Sequence, residues 1–407
     1  MSKPVVYSHS AVPLGLAALL ACLSMISPFS IDTFFPSMRA MQAQFDISAL
    51  SVQQTITAYF IPYAVMSLVH GPLSDALGRR LVVLWGLLLY TVASLACAVA
   101  PSFAALLLFR AIQGMTAGAG LTVGRAIIGD LYKGADAQRL MSVVTVMFSL
   151  APAIAPVVGG YIHIFYSWRG VFFFLTFIGA ALFFVCYRLL PETHPISKRV
   201  SLHFGTLSRN VCKILCNSKF LFLAMCSAMQ FAAVMLYIGS APAIILDTWE
   251  LSETEFIYLF LPVISGFLLG AITSGKLAGH SDPRKLMLLG LLLTIMASLL
   301  GIVLNILIME PPRLTQQLVI FCTALGVQFV FPVVTIRVMA LYPQWRGSVA
   351  AVQSFLQLAI ASFMMGIVAP LLHGNLGYIA CSSFFLTLSA LCFALFSEGQ
   401  KALDGTT

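Results

Sequence analysis

The chain has 407 residues, of which 60% are hydrophobic and only 9% charged. That excludes a water-soluble globular fold, in which roughly a quarter of the residues carry charge. The formal charge of +8 does not point to nucleic acid either, because Lys and Arg lie in short patches between apolar runs and not on one basic face.

The apolar runs fall in chain order at 12–37, 51–70, 81–100, 102–124, 140–162 and 168–190, then at 219–245, 255–275, 286–308, 316–341, 348–371 and 377–397. Each is long enough to cross about 30 Å of hydrocarbon as a helix, so twelve spans are predicted. The first run follows a single Lys3 and continues past Pro28, too long for the apolar core of a cleaved signal, and is read as a retained span. Leu19-Leu20-Ala21-Cys22 has a faint likeness to a lipoprotein cleavage box but is read as helix interior. With the N-terminus inside, the inner connections carry Arg79, Arg80, Arg125, Lys133, Arg139, Lys198, Arg199, Arg209, Lys213, Lys276, Arg284, Lys285 and Arg346, against Arg39, Arg169 and Arg313 outside. The positive-inside rule then predicts both termini in the cytoplasm.

Residues 191–218 form the longest hydrophilic stretch, basic but interleaved with Leu202, Phe204, Leu207, Val211, Ile214 and Leu215. It reads as an interfacial amphipathic linker between an N-terminal six-span bundle, 1–190, and a C-terminal one, 219–407. Most of the nine cysteines lie in apolar runs (Cys22, Cys97, Cys226, Cys322, Cys392), where a thiol acts as a small hydrophobe, so no disulfide framework is expected. Cys212 and Cys216 are one turn apart but have no second ligand pair nearby, and no metal site is predicted.

Once loop and helix-end residues are set aside, Asp32 and Arg110 are the charges inside spans. An intramembrane charge costs a few kcal/mol even on lenient scales, which marks a functional site. Asp32 precedes Arg39 by seven residues, ~10 Å of helix, and Arg110 follows Pro101 by nine, ~13 Å, so both lie in the outer half at similar depth. They form a pair if spans one and four are neighbours. One reading is a static ion pair; the other makes Asp32 a proton carrier and Arg110 its tuner, since burial raises a carboxyl pKa, a guanidinium lowers it, and arginine itself keeps its proton.

Gly71-Pro-Leu-Ser-Asp75-Ala-Leu-Gly78-Arg79-Arg80 joins spans two and three, and Gly275-Lys-Leu-Ala-Gly279-His-Ser-Asp282-Pro-Arg284-Lys285 is a degraded copy between spans eight and nine. Such repetition is how many transporters are built. In the first copy, Gly71 and Gly78 suit a close helix approach and a tight turn, Asp75 suits a helix N-terminus, and Arg79 and Arg80 suit lipid phosphate or a carboxylate such as Asp130. A latch between halves is expected there. In the fifth span, Pro152 and Pro156 followed by Gly159 and Gly160 read as a bending and packing element. Polar or aromatic residues within spans nominate a cavity lining: Tyr59, Tyr63, Gln113, Gln230, Tyr237, Gln328, Gln353 and Gln357. Each serves equally well as an interhelical hydrogen-bonding group.

Ser30-Ile-Asp32-Thr-Phe-Phe-Pro36, the Gly71–Arg80 motif, Phe109-Arg110-Ala-Ile-Gln113-Gly114, Arg125-Ala-Ile-Ile-Gly-Asp130-Leu-Tyr132 and the Pro152/Pro156/Gly159/Gly160 run, with Trp168-Arg169 after it, together resemble the major facilitator superfamily. Within it they resemble the twelve-span drug:proton antiporters that include the bicyclomycin and chloramphenicol resistance (Bcr/CflA) family. The resemblance is dense in the first half and only in outline in the second, where Asp282-Pro283 precedes Arg284. It implies an all-α membrane fold of two six-helix bundles around a central cavity. It further implies proton-coupled efflux of small organic compounds across a bacterial inner membrane by alternating access, driven by the proton gradient without a cofactor, and by a monomer. It assigns Asp32 and Arg110 to coupling, Asp75 and Arg79 to an inner gate closing near Gly347, and the proline-glycine element to exporters. A dedicated transporter of one metabolite, such as a siderophore or sugar, stands as the alternative. An intramembrane enzyme is disfavoured, because no His-Glu-x-x-His helix or Gly-x-Ser-x-Gly elbow occurs.

Overall fold

A computed structural model of the chain describes residues 14–132, 134–199, 203–277, 280–308 and 311–404; Lys3, Lys133, Leu202 and Gly279 lie outside them. Every element is helical: α1 Leu14–Asp32, α2 Met38–Phe45, α3 Ala49–Ser67, α4 His70–Leu77, α5 Arg79–Ala98, α6 Phe103–Leu131, α7 Gly134–Leu189, α8 Phe204–Leu215, α9 Ser218–Gly239, α10 Ile257–Leu277, α11 Pro283–Leu307, α12 Arg313–Leu341, α13 Arg346–Phe363, α14 Ala369–Leu371 and α15 Leu376–Asp404. Helix is what a hydrocarbon solvent demands, since it satisfies every backbone polar group within the segment. Polar side chains cap the ends: Ser102 Oγ accepts from the Ala105 N–H at 3.2 Å, Asn217 Oδ1 from Phe220 at 2.9 Å and Asp282 Oδ1 from Arg284 at 2.9 Å.

Among the described residues ten helices are long and apolar enough to cross a membrane, and the bent pair α3 and α4, whose axes differ by 52°, makes up to an eleventh when taken as one span. The twelfth is inside α7, whose 56 residues are broken at Ser167 (φ 61°, ψ 179°) into two lengths that each suffice. The gap predicted between 162 and 168 is thus a one-residue corner. Inner and outer follow the orientation implied by the basic residues.

The residues fall into two compact units, one comprising the chain up to Asp46 with Ala58–His203, the other Ile47–Thr57 with Phe204 onward. In the first, α1 packs on α6 and α7, and α5 on α6 and α7. In the second, α9 packs on α12 as α1 does on α6, and α11 on α12 and α15 as α5 does on α6 and α7. The repeat read from two loops therefore extends to the helix pairing. Also within the second unit, Gln53 Nε2 donates to the Gly239 carbonyl at 2.6 Å, and Gln54 Nε2 to that of Gly366 at 2.8 Å. Gly366 lies in a π-helical turn, Met364–Val368, that continues α13; a second such turn, Ala243–Thr248, follows α9.

Three expectations are corrected. The Gly71–Arg80 motif is not a loop: Pro72 sits in the first turn of α4, where its missing N–H costs nothing, so the stretch runs helix, Gly78, helix. Gly71 meets no atom within 4 Å of where a Cβ would sit, so no close helix approach explains it. Arg125 and Asp130 ride on α6, which continues to Leu131, beyond the predicted end of the fourth span. The linker does form a helix, α8, with Ile214 buried, Leu207, Val211 and Leu215 half-buried, and Arg209, Cys212, Lys213 and Cys216 exposed.

Candidate functional site

Ser30, Asp32 and Phe34 occupy the end of α1 and the turn after it, and the chain is held there by an unusually close approach. A Cβ on Gly159 of α7 would lie 1.8 Å from the Thr33 carbonyl oxygen, so only glycine lets the two backbones meet. Pro156 and Gly160 are buried beside it and Pro152 is half-buried. The proline-glycine element is therefore the seat of the residue next to Asp32.

Arg110, on α6, is wholly buried. Its Nη1 donates to the Ser30 carbonyl at 2.9 Å and to Gln113 Oε1 at 2.7 Å. The guanidinium carbon lies 4.6 Å from the ring centroids of both Phe34 and Tyr59, and 5.9 Å from that of Phe172. Gln113 Nε2 in turn donates to Ser94 Oγ at 2.8 Å, and the Tyr90 hydroxyl and Ser30 Oγ share a 2.6 Å hydrogen bond. The guanidinium is thus met by a carbonyl dipole, an amide oxygen and ring quadrupoles, each of which favours a desolvated cation.

Asp32 is 5% exposed. Spans one and four are neighbours, yet no ion pair joins Asp32 to Arg110 among the described residues. Two buried ionisable side chains, a carboxyl and a guanidinium, thus lie on adjacent helices.

At the inner end of the first unit, Arg79 is the hub. Its guanidinium contacts Asp75 Oδ1 at 2.5 Å, Asp130 Oδ2 at 3.1 Å and Ser74 Oγ at 2.5 Å, and its backbone N–H donates to Glu192 Oε1 at 3.0 Å. Thr193 Oγ1 donates to Asp130 at 3.0 Å, and Arg199 faces Glu192 at 3.7 Å. Arg80 points elsewhere, donating to the Tyr187 carbonyl at 2.6 Å and lying over the Tyr187 ring. Gly78, at φ 104°, makes the corner, and a Cβ there would come within 2.4 Å of Glu192 Oε2. Ser74, Glu192 and Thr193 escaped the sequence reading, although Pro191-Glu192-Thr193, a carboxylate directly after an apolar run in a basic stretch, was a signal for them.

The nominated cavity residues divide. Gln113, Gln230 and Gln353 are used between or along helices, Gln230 Nε2 on Thr294 Oγ1 at 2.6 Å and Gln353 Nε2 on Ser227 and Thr335 hydroxyls at 3.3 and 3.1 Å. Tyr59 belongs to the cage, and Tyr63 stacks on it with centroids 6.0 Å apart. Gln230 Oε1, the Tyr237 hydroxyl and Gln357 Nε2 are buried without a hydrogen-bond partner among the described residues. Gln328 is half-buried beside Gly270. In the second unit, Arg337 near the inner end of α12 pairs with Glu398 of α15, the two side chains only 20% and 12% exposed. That pair also escaped the sequence reading, because helix-end charges look like anchors to lipid.

Residues 20–365 match the family described as Major Facilitator Superfamily. Relatives include an uncharacterized MFS-type transporter, YdgK, of Bacillus subtilis (29% identical; 97% of this chain, 96% of that protein) and a bicyclomycin resistance protein homolog of Haemophilus influenzae (23%; 86% and 88%). The multidrug resistance protein MdtM of Escherichia coli is 26% identical over 73% of this chain and 74% of its own. Among solved structures, a D-xylose-proton symporter superposes with a TM-score of 0.74 at 14% identity, covering 93% of this chain and 97% of that one, and a peptide transporter with 0.75 at 17%, covering 96% of each. A helical, multi-span chain with a repeated half, matched from its first span into its eleventh, belongs to the Major Facilitator Superfamily of transporters.

Proposed function

We propose that the protein is a proton-coupled exporter of small organic compounds, drugs among them, working by alternating access in a bacterial inner membrane with both termini in the cytoplasm. The observation that carries this is a buried carboxyl, Asp32, and a buried guanidinium, Arg110, on two helices that pack against each other. A carboxyl in a low-dielectric site holds a proton until a cation approaches, and a guanidinium that leaves its cage for the carboxylate releases it. Asp32 is then the proton carrier, and Arg110 the movable charge that converts a change of packing into a change of proton affinity. The names of the relatives, bicyclomycin and multidrug resistance, support an organic cargo moved outward. The Arg79 hub, with Asp75, Asp130 and Glu192, is the inner latch whose closure and release accompany the cycle.

The test is transport in proteoliposomes under an imposed pH gradient, over a drug panel. Asp32→Asn is expected to abolish gradient-driven accumulation while the protein folds and binds drug. Accumulation persisting in Asp32→Asn would remove the carrier role, and wild-type flux indifferent to the gradient would remove the coupling.

A further inference from the structure

His70 opens α4 directly after the 52° bend that divides the second span. It is 3% exposed, and its Nδ1 is buried without a hydrogen-bond partner among the described residues. A neutral imidazole has one N–H and one bare acceptor nitrogen. The Met115 carbonyl lies within reach of the ring as an acceptor for its N–H, which leaves Nδ1 as a lone pair facing no donor. An unmet buried acceptor destabilises the fold, so a merely structural side chain here would be better apolar.

The surroundings give this nitrogen a direction. A Cβ placed on Gly118 would lie 2.9 Å from the Tyr63 ring and 3.4 Å from His70 Cε1, so both rings lie over that glycine. Tyr63 stacks on Tyr59, and Tyr59 covers Arg110. One file of side chains along α3 and α4 thus connects the buried charge in the outer half to the inner end. On the elements around His70 the charged and titratable groups of the inner half are Tyr63 on α3, Asp75 on its own helix, Arg79 and Arg80 on α5, and Arg125 and Asp130 on α6; Tyr59, Tyr90, Cys97 and Arg110 lie farther along the same helices. Asp75, Arg79 and Asp130 are engaged with one another, and Arg80 with Tyr187. Tyr63 and Arg125 remain, close enough to interact with each other.

We infer that His70 is a second proton station, on the inner half of the same pathway: Nδ1 takes the proton that leaves the Asp32 carboxyl through water and passes it, as imidazolium, to cytoplasmic water. No bond other than N–H and O–H forms or breaks, and the histidine returns neutral. His70 is the first residue after the 52° bend between α3 and α4, so a proton there lies at the break between the two parts of the span. This rests on the proton-coupled reading above.

The experiment compares wild type, His70→Gln and Asp32→Asn in proteoliposomes, measuring gradient-driven drug uptake, drug-for-drug exchange without a gradient, and the dependence of uptake on pH at the cytoplasmic face. His70→Gln is expected to slow gradient-driven uptake about tenfold or more, to flatten its dependence on cytoplasmic pH, and to leave exchange unchanged. Histidine-labelled NMR of the purified protein supplies a readout independent of flux: one imidazole signal, absent in His70→Gln, titrates on acidification. Wild-type uptake that ignores the gradient overturns the antiport reading. Wild-type coupling with an unaltered rate and pH profile in His70→Gln, or a His70 signal that never gains a proton down to pH ~4 where an ordinary histidine is fully charged, overturns this proposal alone. If His70→Gln fails to fold, His70→Asn is carried through the same assays and judged by the same outcomes.

Discussion

Replacing Arg110 by lysine keeps the charge and removes the fork. In the structure one guanidinium simultaneously donates to Ser30 and Gln113 and lies 4.6 Å from two ring centroids. A lysine ammonium is a point charge that cannot hold both acceptors while spreading over both rings. Losing one charge-assisted hydrogen bond costs about 1.5–3 kcal/mol, and weakening a desolvated cation–π contact about 0.5–2 kcal/mol. The sum, roughly 2–5 kcal/mol, falls on the caged state and not on a state in which the cation meets a carboxylate. Arg110→Lys should therefore melt several degrees lower in detergent, with gradient-driven transport lost by about tenfold or more, while Arg110→Leu should fold less well and transport nothing. Thermal unfolding followed by tryptophan fluorescence, with uptake measured in parallel, reads both effects. A lysine variant with wild-type melting and wild-type uptake would refute the argument that the cage, and not the charge alone, sets the function.

Gly159→Ala should lower yield and melting temperature sharply, because the new Cβ meets backbone at Thr33 that no rotamer can relieve, and Gly159→Val should not accumulate in the membrane at all; immunoblots of membrane fractions decide. Glu192→Ala should free the Arg79 backbone N–H and loosen Arg199, so cysteine accessibility at the inner end is expected to rise about severalfold even though Asp75 and Asp130 remain. Arg337→Gln and Glu398→Gln should each destabilise the second unit more than the double substitution does, since removing one partner strands a mostly buried charge; a double-mutant cycle of melting temperatures tests it. At the outer end, Ser252 donates its N–H and hydroxyl to Glu255, which holds that carboxyl below the ordinary glutamate range. Because the folded-state pKa is the lower one, the turn's stabilisation is present above the ordinary glutamate pKa and is lost as pH falls through the depressed value; hydrogen exchange at Ser252 should quicken only below that point.

The spans were legible because hydrophobicity is read one segment at a time, and the corner at Ser167 lay between two runs that already stood apart. The Gly71–Arg80 stretch read as a loop because its Gly, Pro, Ser and Asp are turn formers, whereas in a helix only their placement in the first turn matters. Asp32 and Arg110 stood out as charges in apolar surroundings, and sequence depth placed them level. What depth does not convey is rotation about the helix axis, and that decided that Arg110 turns to Phe34, Tyr59 and Gln113 and not to Asp32. Glu192 and Glu398 were missed for the opposite reason, since a charge at a span end looks solvated until the helix beside it is known. His70 was passed over as part of a motif's flank, where only burial distinguishes it.

The two π-helical turns in the second unit have a consequence for phase. Each takes one residue more than an α-turn, so removing a single residue from Met364–Val368 would let the segment relax to α-helix with scarcely any change of length. Everything beyond it would keep nearly its phase, because five residues at the π-helical pitch turn through about the same angle as four at the α-helical one, while the widened turn that presents the Gly366 carbonyl to Gln54 would be gone. A one-residue deletion in this span is therefore absorbed where it occurs, and its mark is the loss of the hydrogen bond that α3 makes there.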